Sequence, residues 1–195
     1  MKRAAIILSV MMFVYANLNA QDVNFGAKAG VNFATINSDN FDSFTSRTAF
    51  HLGFVAEIVI TETFSFQPEL MYSAQGADYS EEFFDGSVKL DYLNLPLMAK
   101  YYVAEGFSLE VGPQIGFLLS AKDKGDSDGV SYDEDIKEFI KGIDFGVNFG
   151  AGYKLDNGLN FGARYNLGLT DVNDAYEEGG TYKNGVFQVY LGIFF

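Results

Sequence analysis

Proton-transfer chemistry in this sequence would have to involve His51, because the chain of 195 residues contains a single histidine. A histidine serves as general base when a nucleophile and an orienting acid both lie within hydrogen-bond reach. His51 instead falls on the polar side of an alternating segment, which favours a structural role. The sequence therefore predicts no catalytic residue and no enzyme activity.

A metal site would have to come from the acidic segment 122–141, KDKGDSDGVSYDEDIKEFIK. Asp126, Asp128 and Gly129 match the third, fifth and sixth positions of a calcium-binding loop. The first position is then Lys124 and the twelfth is Asp135, where such a loop needs an acidic ligand and a bidentate glutamate. We predict a solvated acidic loop with a short helix over 134–141, and neither a metal nor a cofactor.

Other ionisable residues recur at alternate positions of segments that are otherwise apolar or rich in glycine. Together with His51 they are Lys28, Glu57, Glu69, Lys100, Glu110, Asp144, Lys154 and Arg164. Charged groups that alternate with large apolar side chains are typical of a β-strand with two different faces. The elements that position these charges are therefore strands.

Period-two alternation predicts eight strands, beginning with VNFGAKAGVNFA, in which Val, Phe and Ala alternate with Asn, Gly and Lys. The predicted strands are 23–34, 48–60, 64–74, 91–102, 107–121, 143–155, 159–170 and 186–195. The triplet Asp156-Asn157-Gly158 between the sixth and seventh is a tight-turn signal. On the apolar face of each strand no residue is charged. In the fifth strand, for example, that face holds Phe107, Leu109, Val111, Pro113, Ile115, Phe117, Leu119 and Ala121.

The connections between these strands alternate in length. Three of them, TET, AEG and DNG, have about three residues, whereas the other four have about 12 to 20. Short periplasmic turns and long extracellular loops are the pattern of outer-membrane barrels, whose apolar face points outward to lipid. The sequence thus predicts an all-β, eight-stranded, antiparallel, up-and-down transmembrane β-barrel with both termini in the periplasm.

The amino-terminal region predicts export. Lys2 and Arg3 precede an apolar run from Ala4 to Tyr15, and the short segment NLNA ends at Ala20. This is the pattern of a cleaved signal peptide over 1–20, which leaves 21–195 as one barrel domain. The chain has no cysteine, so disulfides, thiol catalysis and a lipid-modified amino-terminal cysteine are excluded.

The charge of the chain limits its partners. Its formal net charge is -13, and 17 of its 26 acidic residues lie in the four segments 35–47, 77–88, 122–141 and 171–183. Those segments are the predicted long connections. An acidic surface repels nucleic acid, so we predict no nucleic-acid partner.

Several segments together resemble a known family. They are FGAKAGVNF, FSFQPELMYSAQG, DYLNLPLMAKYY, LEVGPQIGFLLSAK and DFGVNFGAGYKLDNGLNFGARYNLGLTDV, in this order. The set, from about Val23 to Phe195, resembles the PorT-like outer-membrane β-barrel family of Gram-negative bacteria. This resemblance implies an outer-membrane barrel, and its namesake is linked to a protein-secretion system.

The function predicted from the sequence is that of an integral outer-membrane protein with a structural or surface-interaction role and a plugged polar lumen. A secretion-system component is the alternative, and a lipid-modifying enzyme is a third. The expected partners are outer-membrane lipid and lipopolysaccharide, the barrel-insertion machinery through the strand that ends at Phe195, and secretion or extracellular partners through the loops. An eight-stranded barrel is only wide enough for side chains, so we expect ion pairs to close the lumen rather than a pore to cross it.

Overall fold

The computed structural model describes residues 22–38, 44–81, 84–127, 130–174 and 180–195. The predicted signal peptide lies outside these residues. The described chain contains no helix that is long and apolar enough to cross a membrane.

Nine strands account for most of the described chain. They are β1 (Val23–Ser38), β2 (Phe44–Thr61), β3 (Phe64–Glu81), β4 (Phe84–Ala104), β5 (Phe107–Ser127), β6 (Val130–Asp135), β7 (Ile143–Lys154), β8 (Leu159–Gly168) and β9 (Tyr182–Phe194). All eight predicted strands are present, and β6 is the one that the sequence did not predict.

Eight of the strands close into a ring by antiparallel pairing, in the order β1, β2, β3, β4, β5, β7, β8, β9. The first and last strands complete it, since Ala29 of β1 lies opposite both Leu52 of β2 and Leu191 of β9. A closed ring has no free strand edge inside the membrane, where an unpaired backbone group would be costly. The predicted eight-stranded barrel is confirmed.

Alternation along the strands separates the inside of the barrel from the outside. In β1, Lys28 and Asn32 are buried, whereas Phe25, Val31 and Phe33 are exposed. The same division holds around the ring, so large apolar side chains form a continuous outward belt. Aromatic side chains lie at both ends of this belt along the barrel axis, where the two membrane–water interfaces of an outer-membrane barrel are expected. At the turn end they include Phe25, Tyr101, Phe107, Tyr153 and Phe161, and at the other end Phe33, Phe50, Phe117, Phe145 and Phe187.

Part of the predicted loop structure is wrong. Strands β3 to β5 continue well past their predicted ends, and only residues 82–83 separate β3 from β4. The segment predicted as a short helix over 134–141 begins in β6 and then forms a single 3-10 turn, Lys137–Phe139. Backbone pairing with the neighbouring strands stabilises extended structure where the polar composition indicated a loop.

One predicted side-chain direction is also wrong. Ala121 was placed on the lipid-facing side of the fifth strand, but it is buried inside. The pairing of β4 with β5 shifts between Asp91 and Tyr92, which lie opposite Ser120 and Leu118. An extra residue at such a bulge reverses the two faces beyond it.

Candidate functional site

A charge cluster fills the middle of the barrel interior. Arg164 of β8 donates from Nη1 and Nη2 to the two carboxylate oxygens of Glu69, both at 2.9 Å, and also donates to Glu110 at 2.8 Å. Lys28 of β1 donates to the same Glu69 at 2.9 Å. The hydroxyl of Tyr190 donates to Glu110 at 3.0 Å. Five strands are thereby joined across the lumen.

A second group of charges lies nearer the short turns. Glu57 accepts from Lys154 at 2.6 Å and lies 3.3 Å from Lys100. Tyr102 donates a short hydrogen bond to the same carboxylate. Lys100 lies 3.7 Å from Glu110, so the two groups form one network.

The structure thus places every inward charge of the sequence prediction inside the barrel, and it pairs most of them. Four cations meet three glutamates in the network, and all of them except Lys154 are buried. Such groups persist in an interior only when they are paired, because an uncompensated charge there is costly. The predicted ion pairs between inward charges are present.

An amide layer follows beyond the charge cluster. Asn32 donates to Ser73 at 3.0 Å and to the backbone oxygen of Ala74 at 2.6 Å. Gln188 donates to Asn32 at 2.9 Å. Across the lumen, the three amides Gln114, Asn148 and Asn166 form a hydrogen-bonded chain. The void between this layer and the charge cluster is about 10 Å³, which is at the lower limit for one water molecule.

His51 belongs to this amide layer. It is buried, and its Nδ1 lies 2.7 Å from the side-chain oxygen of Asn32. The sequence contains one G-x-S-x-G spacing, at 125–129, of which Gly125 and Ser127 lie in strand β5 and Asp128 and Gly129 lie outside the described residues. Ser127 pairs with Phe84 at the far end of the long hairpin, well away from His51, which pairs with Ser73.

An apolar cluster closes the interior at the end opposite the short turns. Its buried members are Ile36, Ala77, Leu90, Tyr92, Leu118 and Ala121, and Phe44, Val88, Ile136, Ile140 and Tyr182 pack against them. Sequence reasoning missed this cluster because it ended the strands too early. Continuing the inward positions of β1 past Asn32 gives Ala34 and Ile36, and this continuation was the available signal.

Asp144 lies where the amide layer meets the apolar cluster. Asn184 donates to its Oδ2 at 2.9 Å, while Asp144 Oδ1 and Asn184 Oδ1 have no hydrogen-bond partner among the described residues. Tyr92 accepts from Asn184 at 3.4 Å. This carboxylate stands apart from the ion-pair network.

Beyond the apolar belt, strands β3, β4, β5 and β6 continue as a four-stranded sheet, here called the outer sheet (residues 76–81, 84–90, 121–127 and 130–135). Its acidic residues are those of the predicted long connections. Asp128 and Gly129 of the predicted partial calcium match lie outside the described residues. Within the described chain, no three His, Cys, Asp or Glu side chains are grouped so as to hold a metal.

A tyrosine brace holds the outer sheet together. Tyr79 of β3 and Tyr132 of β6 reach toward each other over Gly86 and Gly125, and their hydroxyls form a short hydrogen bond. Tyr79 also donates to Asp123 at 2.7 Å. A Cβ on Gly125 would lie 2.6 Å from the hydroxyl of Tyr132, so glycine is needed for this close approach. Burial, together with these hydrogen bonds, raises the pKa of Tyr79.

At the other end of the barrel, the short turns surround an open recess of about 490 Å³. Its lining includes Glu57, Tyr102, Lys154 and Asp156. Because the ion-pair network lies directly behind these residues, the recess ends within the barrel.

Comparison with known proteins agrees with this architecture. The profile of a family described as outer membrane protein beta-barrel domain matches residues 19–174. Ail, the attachment invasion locus protein of Yersinia pestis, is similar at 14% identity and a TM-score of 0.55, over 89% of this chain and 99% of Ail. The structure of Ail in complex with the heparin analogue sucrose octasulfate is similar at 15% identity and a TM-score of 0.54, over 89% of this chain and 99% of Ail.

Neisserial surface protein A is similar at 16% identity and a TM-score of 0.52, over 89% of this chain and 99% of that protein. At such identities the likeness concerns the fold alone. A sequence search of curated proteins finds no significant match.

Proposed function

Because this chain belongs to the outer membrane protein beta-barrel domain family, we propose that it is a closed, non-conducting barrel of the outer membrane whose outer sheet binds other molecules. Its location in the outer membrane follows from the family and from the apolar belt. We also propose that the protein is not an enzyme, because its single histidine, His51, is hydrogen-bonded to Asn32 in the amide layer.

The filled interior is the observation that carries this proposal. Charged, amide and apolar layers follow one another from the short turns to the opposite end, and each uses side chains from several strands. An eight-stranded barrel has room for little beyond such side chains. The part of the molecule that remains available for function is the surface outside the membrane.

Planar bilayer recording tests the closed lumen. We expect wild-type protein to give little or no steady conductance, because the ion pairs and the apolar cluster leave no continuous water path. A porin inserted in the same bilayer is the positive control. A large and stable single-channel conductance from wild type would refute the closed barrel and favour transport.

We further propose that the short turns and both termini face the periplasm and that the outer sheet faces the exterior. Because the chain has no cysteine, single substitutions give a clean test. A membrane-impermeant maleimide added to intact cells should label Ser131→Cys of β6 and should not label Asn157→Cys of a short turn. After the membrane is made permeable, both should react. The opposite labelling pattern would invert the proposed topology.

The last strand is proposed as the element that the barrel-insertion machinery recognises. Phe195 is exposed, and its backbone N–H donates to Phe25 at 2.9 Å, next to the seam where β9 meets β1. Deleting Phe195 should lower the amount of heat-modifiable barrel in the outer membrane without reducing export. Phe25→Ala, which removes an aromatic side chain of the same girdle, is the control. Normal insertion after the deletion would leave Phe195 a girdle residue only.

The chemistry of the outer sheet guides the choice of ligand. Ail has been crystallised with a heparin analogue, sucrose octasulfate, which is a polyanion. The connections of the present chain are acidic instead, and an acidic surface repels polyanions. We therefore propose a cationic or basic ligand for this chain.

A role in protein secretion is the second candidate, favoured by the resemblance of the sequence to the PorT-like family and by the recess at the turn end. A periplasmic partner would find Lys154 and Asp156 there. Affinity capture from native outer membranes distinguishes the candidates. Co-purification of secretion machinery would support the second, and a basic ligand captured without that machinery would support the first.

A further inference from the structure

Strand β6 has one edge without a strand partner. Six residue pairs, from Lys122 opposite Asp135 to Ser127 opposite Val130, join it to β5. No described strand pairs with its other side. Most of its residues are exposed, and it lies in the outer sheet, beyond the apolar belt. An unpaired strand edge is a template for a further strand.

This edge is held in shape before any partner arrives. The hydroxyl of Tyr132 bonds to Tyr79 of β3 across the two intervening strands, and Asp133 accepts from Lys124 at 2.5 Å on the opposite face of the sheet. The Lys124 hydrogen bond lowers the pKa of Asp133, with Lys122 contributing at 3.6 Å. Binding to a preformed edge avoids the entropic cost of ordering it.

The charges along the edge indicate the chemistry of its partner. Asp133 is already paired with lysines, but Glu134 is not: it lies opposite Asp123, on the same face as Tyr132, and no described cation pairs with it. Like charges in facing positions are unfavourable. A basic side chain on an added strand, next to Glu134, would relieve that repulsion.

A second copy of the chain fits this edge poorly. Two β6 edges would bring together two sets of Asp133, Glu134 and Asp135, and charges of one sign along an edge oppose self-pairing. The occupant must therefore be a different chain with positive charge.

We propose that β6 docks an extended basic peptide segment of a partner protein, which adds to the outer sheet as a further strand. Backbone hydrogen bonds to β6 supply the affinity, and a Lys or Arg beside Glu134 supplies the selectivity. This inference rests on the proposed surface-interaction function.

The probe is a fluorescent ten-residue peptide of alternating lysine and valine, titrated against the full barrel in lipid nanodiscs and followed by anisotropy. We expect saturable binding to wild type and at least tenfold weaker binding of the same peptide N-methylated at alternate residues, because N-methylation blocks one strand edge. Glu134→Lys should weaken binding at least tenfold. Glu105→Lys, with the same change of charge at a short turn, should leave it within about twofold.

Equal binding of the methylated and unmethylated peptides, or equal losses in Glu134→Lys and Glu105→Lys, would show attraction by charge alone and would overturn strand docking. Absence of binding to wild type would overturn it as well. None of these results would contradict the proposal of a closed barrel, which the conductance measurement tests separately.

Discussion

Replacement of Arg164 by alanine is expected to lower the free energy of unfolding by about 3–5 kcal/mol, because it leaves two buried carboxylates without their shared cation. Arg164 donates two hydrogen bonds to Glu69 and a third to Glu110. Urea unfolding in lipid vesicles, followed by the gel mobility of the folded barrel, measures the loss.

Two further variants make this prediction specific to the buried network. Lys122→Ala removes an exposed lysine that lies 3.6 Å from Asp133, and it should cost roughly 0–1 kcal/mol. Adding Glu110→Gln to Arg164→Ala should recover part of the loss, since one uncompensated charge is then removed. Similar losses in Arg164→Ala and Lys122→Ala would mean that the network does not hold the strands together.

The second large effect is expected from placing an arginine on the outward apolar belt, which should lower the free energy of unfolding. Leu95 of β4 and Val147 of β7 point away from the lumen, with Asn94 and Asn148 beside them buried inside. Leu95→Arg or Val147→Arg places a cation in hydrocarbon and should cost about 2–4 kcal/mol near the midplane. The same vesicle unfolding assay applies.

The matched control is a charge change outside the membrane. Asp128 of the predicted acidic loop lies outside the described residues, so the control is Glu138→Lys in the exposed 3-10 turn. It should change the unfolding free energy by less than about 0.5 kcal/mol. If Leu95→Arg, Val147→Arg and Glu138→Lys all changed the unfolding free energy by the same amount, the apolar face would not be the face that contacts lipid.

The sequence alone predicted which side chains of each strand point into the barrel and which point outward. Alternation such as that of Phe25, Lys28 and Val31 depends only on the local period of a strand, and the lengths of the connections indicate which face meets lipid. The same local information placed Glu69 and Arg164 inside together. It failed at Ala121, where a bulge reversed the faces, because a bulge depends on the partner strand.

The tertiary structure alone decided which charges meet and where the barrel ends. Glu69 and Arg164 are 95 residues apart in the chain, and their bidentate pairing follows from the register of strands around the closed ring. Ile36 and Leu90 of the apolar cluster, and the strand β6, lie in segments whose polar composition indicates loops. These segments fold as strands because neighbouring strands supply backbone partners and inward contacts, and sequence periodicity carries no information on such long-range pairing.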